Sequence, residues 1–239
     1  MPEKFVCNKC GKCCNQDIAI DEKDSAIEYG FGTLFCGATK SGIPLPDSEK
    51  KEIESQAKEK GKKIEIVPLR SFFDLKSKTW IVVQWKMLGK NCQFSSGKEC
   101  LIYKNRPMVC KYWPLSQSGK ECAISDNCIG FSAKKERIAG NNKKTALFFW
   151  EELIALNQAM AAFQATVSLL LETGKAGAVS LSRNTPKKSI EENCLETKTK
   201  GILEFIANAA GISESALLCG IKKASSRKKI SEKQKSTLA

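Results

Sequence analysis

The amino-acid sequence predicts an α+β fold, in which a small, loop-rich cysteine-cluster domain with a short antiparallel sheet is followed by a helical C-terminal region. Most of the 12 cysteines among the 239 residues lie before residue 131. Two short segments between residues 64 and 85 are rich in β-branched and aromatic side chains, as strands are. A long segment from residue 144 carries apolar residues at helical spacing. The predicted units are a cysteine-cluster domain (1–131), a helical region (132–224) and a disordered basic tail (225–239).

Two helices are predicted in the first part of the chain. Asp21 is expected to cap a short helix that ends near Gly30. Asp47 is the candidate N-cap of a heavily charged helix that closes at Gly61, because aspartate favours helix starts and glycine favours helix ends. The many charged side chains of this second helix indicate a surface element.

Residues 64–67 and 79–85 are predicted strands. Both segments are short, and Pro68 and Gly89 bound them. They are expected to pair as the small antiparallel sheet. Residues 91–131 have few long apolar runs and many turn residues, which is typical of loops.

The best predicted helix covers residues 144–173 and ends at Gly174. Charged and amide side chains interrupt it too often for a membrane span, which needs ~20 nearly uninterrupted apolar residues. No membrane span is therefore expected, and the helix is predicted to be buried or to face a protein partner. A polar linker over residues 180–200 leads to two further helical segments at 202–210 and 213–224.

The absence of histidine limits the chemistry of this chain. Three-histidine zinc enzymes, Ser-His-Asp and Cys-His hydrolases and two-histidine iron sites are excluded, so any metal must be held mainly by thiolates. The net charge of +13 could favour nucleic acid or an anionic membrane surface, although the basic tail supplies part of it.

The N-terminal segment up to Asp17 is polar and contains cysteines, and it lacks the apolar run of a secretory signal. We therefore expect a cytoplasmic protein. Thiols persist in that reducing compartment, so closely spaced cysteines indicate metal ligands or redox groups before they indicate disulfides.

The first cysteine motif follows C-x2-C-x2-C at Cys7, Cys10 and Cys13, and Cys14 follows at once. This spacing lets one loop turn three sulfurs toward a single centre, as the first three ligands of bacterial ferredoxins do. The ferredoxin pattern would continue with a cysteine at position 17, where this chain has Asp17. The remaining ligands must therefore come from farther along the chain.

A second block of cysteines supplies them at Cys92, Cys100, Cys110 and Cys128. Four thiolates per site would give tetrahedral zinc or an iron-sulfur cluster, including the 4Fe-4S type, and the spacing does not separate these. One centre or two are equally reasonable, because adjacent cysteines rarely chelate one small ion. The predicted metal ligands are Cys7, Cys10, Cys13, Cys14, Cys92, Cys100, Cys110 and Cys128. The four other cysteines are interpreted as small hydrophobic residues: Cys36, Cys122, Cys194 and Cys219.

Three residues between the distal cysteines are predicted to support the metal loops from the second shell. Pro107 fixes its own backbone, and Arg106 can donate several hydrogen bonds to carbonyl oxygens or sulfurs. Tyr103 is expected to shield the centre from water. Basic and aromatic residues are interleaved over 103–113, so this segment could also bind nucleic acid, although zinc-finger spacing is absent.

The segments CNKCGKCC at 7–14 and CLIYKNRPMVCKYWP at 100–114 resemble the two motifs of the YkgJ-type cysteine-cluster family, whose domain is named as zinc- or iron-chelating. The resemblance covers about residues 5–131. Lys111 stands where the family prefers arginine, which keeps the positive charge but loses the planar guanidinium. Similar domains occur in flagellin lysine N-methylase, so the resemblance implies a methyl-transfer enzyme as an alternative.

Metal binding with a structural or redox role is therefore the first functional hypothesis. The alternative is an enzyme, either a lysine N-methylase-like protein-modifying enzyme or an oxidoreductase that uses the cluster. The second alternative is a nucleic-acid-binding adaptor. A protein partner could dock on the C-terminal helices. No catalytic residue is recognisable, and the G-x-G at residues 30–32 is interpreted as an ordinary turn because no strand is predicted ahead of it.

Overall fold

The fold combines a curled, mostly antiparallel sheet with helices, which confirms the predicted α+β class. It is known from a computed structural model. The structure describes residues 4–7, 11, 14, 25–37, 42–89, 91–97, 99–118, 121–125, 128, 147–184, 193–194 and 197–227.

The described residues form ten strands, of which β6 and β7 have only two residues each, and five α-helices. The strands are β1 (Ser25–Tyr29), β2 (Gly32–Cys36), β3 (Ile43–Pro46), β4 (Ile66–Asp74), β5 (Thr79–Met87), β6 (Ser95–Ser96), β7 (Glu99–Cys100), β8 (Leu115–Ser118), β9 (Glu121–Ile124) and β10 (Lys198–Gly201). The helices are α1 (Asp47–Glu59), α2 (Met108–Tyr112), α3 (Trp150–Lys175), α4 (Ile202–Ala210) and α5 (Glu214–Arg227).

The main sheet has the strand order β1-β2-β4-β5-β10, and β3 also pairs with β5. The predicted strand 79–85 lies within β5. The predicted strand 64–67 overlaps only the first two residues of β4, which continues through Pro68 to Asp74; β4 and β5 pair antiparallel as expected. The other edge of β5 is shared by two strands. There β3 pairs antiparallel with residues 84–87, and β10 pairs parallel with residues 79–82.

The predicted short helix before Gly30 is wrong over residues 25–29, which form β1; Asp21 lies outside the described residues. β1 pairs antiparallel with β2, whose five residues are all buried. Sheet pairing therefore overrides the local helix signal. A strand does precede the G-x-G at residues 30–32, but the chain turns straight back into β2, so the segment is a hairpin turn, as interpreted.

The charged helix is confirmed as α1, but Asp47 is not its N-cap. The capping position is Pro46, without a side-chain cap bond, because α1 begins directly after β3. The Asp47 carboxylate instead accepts hydrogen bonds from Trp85 and from the backbone of Leu203. The helix is also more than a surface element, since it buries Ile53.

The long predicted helix is confirmed as α3, which extends to Lys175. By length and composition alone, α3 is the one single helix of the described residues that could span a membrane. The pair formed by α4 and residues 214–221 of α5, bent by 108°, passes the same test together. α3 packs against α4, α5 and the sheet, and 22% of its most apolar 18-residue window is buried.

The C-terminal segments share a hydrophobic core with the first half of the chain. The predicted helical segments are present as α4 and α5, and the expected linker contains β10 at its end. The predicted domain limits at 131 and 224 stay predictions. The main core joins both halves, and its members include Leu34, Phe72, Ile81, Val83, Leu170, Ile202, Ile206 and Ile221.

Candidate metal centre

The first cysteine motif and the second block of cysteines meet at Cys14 and Cys92. The backbone N–H of Cys92 donates to the carbonyl oxygen of Cys14 at 2.8 Å, and the two thiols are hydrogen-bonded. The N–H of Cys14 in turn donates to the carbonyl of Gly11 at 2.9 Å. Gly11 has a φ of 73°, a left-handed conformation that glycine adopts without strain. The first motif therefore turns tightly so that its last cysteine reaches the second motif.

This contact changes the acidity of one thiol. The hydrogen bond with Cys14 lowers the pKa of Cys92 to about 7, burial opposes that shift, and hydrogen bonds from the backbone of Phe94 and Ser95 add to it. A thiolate is the form of cysteine that binds metal ions. Cys92 is thus close to its metal-binding state at neutral pH.

Cys100 packs against the same hydrophobic cluster as Cys92. The short strands β6 and β7 place it opposite Ser95, and the N–H of Leu101 donates to the carbonyl of Phe94 at 2.9 Å. Both Cys92 and Cys100 pack against the hydrophobic cluster that contains the fully buried Phe94. Cys92 and Cys100 therefore share one apolar wall, and the hydrogen bonds of Cys92 connect Cys14 to it.

A second region forms around a phenylalanine cluster of Phe5, Phe148 and Phe149. The ring of Phe5 lies 5.2 Å from that of Phe149, and Phe148 meets Phe149 edge-on at 4.8 Å. The N–H of Phe5 donates to the carbonyl of Phe148 at 2.8 Å. These contacts fix the chain just ahead of Cys7.

Cys128 and the helix that carries Cys110 both contact the phenylalanine cluster. Cys128 is buried with the phenylalanine cluster, and Tyr112, which follows Cys110 on α2, packs against that cluster. The N–H of Cys128 donates to Ser125 at 3.3 Å, and the N–H of Ser125 donates to Pro114 at 2.9 Å. These bonds hold the Cys128 loop against the end of α2.

The set of eight ligands stays a prediction. Among the described residues, no three cysteine, aspartate or glutamate side chains are grouped closely enough to hold a metal ion. Cys10 and Cys13 lie outside those residues. The donor chemistry nevertheless fits zinc or iron, since the contact between Cys14 and Cys92 presents two soft sulfur ligands side by side.

A comparison with known protein families also identifies this cysteine-rich part of the chain. A sequence profile named CxxCxxCC and described as "putative zinc- or iron-chelating domain" matches residues 6–129. The chain belongs to this family. The predicted resemblance is thereby confirmed. No curated protein and no solved structure gives a significant match.

The other predicted residues of the CxxCxxCC domain lie at the start of α2. Pro107 directly precedes this helix, with φ −52° and ψ 151°. The guanidinium of Arg106 stacks 4.2 Å above the ring of Tyr103. The Arg106 Nε atom is buried and has no hydrogen-bond partner among the described residues. Their support of the metal loops stays a prediction, and all three precede the helix that carries Cys110.

Sequence reasoning missed Glu49 of the CxxCxxCC domain. Its carboxylate, on the first turn of α1, accepts a hydrogen bond from the backbone N–H of Met108, at 3.0 Å to Oε1 and 3.2 Å to Oε2. Burial raises the pKa of Glu49 to about 7, and this hydrogen bond and the charge of Lys111 oppose the shift. Nothing in the sequence distinguished Glu49 from the other charged residues of α1.

Tyr112 has a shifted acidity in the same place. Burial raises the pKa of its phenol to about 12, and the neighbouring charges of Cys110 and Glu49 add to that effect. Arg70 on β4 opposes it. Glu49, Cys110 and Tyr112 are therefore electrostatic neighbours, which links α1 to the cysteine-bearing helix.

Proposed function

We propose that this chain binds zinc or an iron-sulfur cluster through cysteine thiolates, in the cytoplasm, with a structural or redox role. The observation that carries the proposal is the contact of Cys14 with Cys92. Cys14 ends the first motif and Cys92 begins the second block of cysteines, and backbone and side-chain hydrogen bonds join them. Hydrophobic packing alone does not require two thiols to meet. The proposed ligands are Cys7, Cys10, Cys13, Cys14, Cys92, Cys100, Cys110 and Cys128.

Two centres fit the arrangement better than one. Cys92 and Cys100 pack against the cluster around Phe94, and Cys14 is hydrogen-bonded to Cys92, whereas Cys128 belongs to the phenylalanine cluster. Bound zinc would cross-link these loops, and a bound iron-sulfur cluster would add electron transfer. The protein would supply the thiolates, and the apolar walls would limit the access of water.

The test is the metal content of the full-length protein purified without oxygen. Iron with acid-labile sulfide and a brown colour supports an iron-sulfur cluster, and colourless protein with stoichiometric zinc supports zinc. Cys14→Ser and Cys92→Ser should each lower the metal content. Cys219→Ser is the matched control, because Cys219 is exposed on α5. Purified protein that takes up neither metal, or cysteine variants that load like the control, would contradict the proposal.

The other hypotheses stay predictions. Methyl transfer would require binding of S-adenosylmethionine, and nucleic-acid binding would require a steep dependence of affinity on salt. Docking of a protein partner on the C-terminal helices is also untested.

A further inference from the structure

The helix that carries Cys110 has an unusual start. The residue before α2 is Pro107, and no side chain of the capping position bonds to the helix. The first N–H groups of a helix have no partner within the helix itself. The N–H of Met108, the first residue of α2, is instead satisfied by Glu49, which is distant in sequence.

Glu49 lies on α1, and contacts with the sheet and the hydrophobic core hold this helix in place. Asp47, two residues before it, accepts hydrogen bonds from Trp85 at 2.6 Å and from the N–H of Leu203 at 3.0 Å. Farther along α1, Ile53 and Ala57 are buried in the hydrophobic cluster that also contacts Cys92 and Cys100. The position of the Glu49 carboxylate is therefore set by the main sheet and its core.

We propose that Glu49 is a positioning residue, which holds the start of α2 and thereby places Cys110 for metal binding. This inference rests on the proposed function. Cys110 lies in the same helical turn as the anchored N–H, since its own N–H donates to the carbonyl of Pro107 at 2.9 Å. Metal ligands must lie within about 0.2 Å of the ideal distance, so a small shift of α2 removes a ligand.

The charged groups around Glu49 favour its contact with α2. The charged and titratable groups that act on it are Lys111 and Glu52, and Tyr112 is also close enough to respond to its charge. Lys111 belongs to α2 and attracts the carboxylate, so the electrostatic contact supports the backbone hydrogen bond. Glu52 lies on α1 and repels it. The favourable contacts of Glu49 are thus directed at α2.

The first test compares Glu49→Ala, Glu49→Gln and the control Glu59→Ala in the full-length protein. Glu59 lies at the other end of α1 and is fully exposed. Zinc affinity is measured by competition with a chromophoric chelator, and the protein is also loaded with cobalt. Glu49→Ala should weaken zinc binding about 10- to 100-fold, as loss of an outer hydrogen bond does at metal sites. Glu49→Gln keeps an acceptor oxygen and should stay near wild type.

The cobalt spectrum separates lost positioning from general destabilisation. The thiolate-to-cobalt charge-transfer absorbance per bound ion reports how many sulfurs bind the metal. Glu49→Ala should lower this absorbance, because Cys110 no longer reaches the ion, and Glu59→Ala should not.

A second pair of variants changes the donor and leaves Glu49 intact. Met108→Pro removes the N–H, whereas Met108→Ala keeps it. Proline suits the first position of a helix, and the extended ψ of 151° at Pro107 suits a residue before proline. Met108→Pro should therefore match Glu49→Ala, and Met108→Ala should bind zinc like wild type. If Glu49→Ala does not fold, the comparison of Met108→Pro with Met108→Ala tests the inference instead.

The outcomes separate this inference from the proposed function. Wild-type protein that binds no metal overturns both. If wild type binds metal while Glu49→Ala and Met108→Pro keep wild-type affinity and cobalt absorbance, Glu49 is not a positioning residue and the proposed function stands. Equal losses in Glu59→Ala or Met108→Ala would also overturn the inference.

Discussion

The carboxylate of Asp47, at the start of α1, accepts a hydrogen bond at 3.0 Å from the backbone N–H of Leu203, at the start of α4. Its other oxygen accepts a hydrogen bond at 2.6 Å from the indole N–H of Trp85 on β5. One side chain thus joins the first helix, the sheet and the C-terminal helices. Burial raises the pKa of Asp47, and the hydrogen bonds from Leu203 and Trp85 oppose that shift.

Asp47→Ala should lower the free energy of unfolding by about 1 to 3 kcal/mol, because it leaves two donors without their acceptor. Asp47→Asn keeps one acceptor oxygen and should cost less. Chemical denaturation measures both, with Glu59→Ala as the exposed control on the same helix. Equal stabilities of the alanine variant and wild type would show that water replaces Asp47 at no cost.

Gly201→Ala should also destabilise the protein, because a Cβ at this position would overlap the Asp47 carboxylate. Overpacking of this kind costs about 1 to 3 kcal/mol. The loss should shrink in an Asp47→Ala background, so a double-mutant cycle should show coupling between the two sites. Gly174→Ala is the control, since its Cβ would meet open space. Additive effects of Gly201→Ala and Asp47→Ala would rule out the clash.

The contribution of Glu49 to the stability of the metal-free protein should fall as pH rises from about 5 to about 7. Burial raises the pKa of Glu49 from 4.5 to about 7, so in this range the folded chain retains a proton that the unfolded chain has lost. The shift corresponds to at most about 3 kcal/mol. No histidine contributes to the signal, because the chain has none.

Glu49→Gln should reduce this pH dependence, as measured by denaturation at several pH values. Glu59→Gln should retain it, because Glu59 is exposed. A Glu49→Gln profile that parallels wild type would mean that Glu49 ionises alike in the folded and unfolded chains.

Phe149→Ala should lower the free energy of unfolding by about 3 to 5 kcal/mol, the usual cost of deleting a buried aromatic ring. Phe149 is 0% exposed and contacts the rings of Phe5 and Phe148. The control is Leu147→Ala, since Leu147 is 42% exposed. Similar small losses in the two variants would show that the phenylalanine cluster can be disrupted without cost to the fold.

The sequence predicted those elements whose own residues carry a clear local signal. β5 is rich in β-branched and aromatic residues, the segment of α1 lies between an aspartate and a glycine, and α3 carries apolar residues at helical spacing. β10 was missed because its sequence, KTKG, has no apolar alternation, and only its parallel pairing with β5 makes it a strand. β1 was mistaken for a helix for a related reason, since its ladder with β2 decides its conformation.

The cysteines of the candidate site were identified from the sequence, whereas the hydrogen bond between Glu49 and Met108 was not. Cysteine spacing reflects metal chemistry directly, so both motifs were visible in the sequence. Glu49 was invisible, because its partner is a backbone N–H at Met108, and any residue type carries that group. The role of Asp47 was mistaken because its partner at Leu203 is equally remote.

The position of β10 has a consequence for the order in which the protein can fold during translation. Residues 79–82 of β5 receive their second strand partner from residues 198–201. A ribosome reaches those codons only after it has translated both cysteine motifs. The nascent chain therefore holds all of its candidate ligands while residues 79–82 of β5 still lack this partner, and the late, long-range pairing is of the kind that forms slowly.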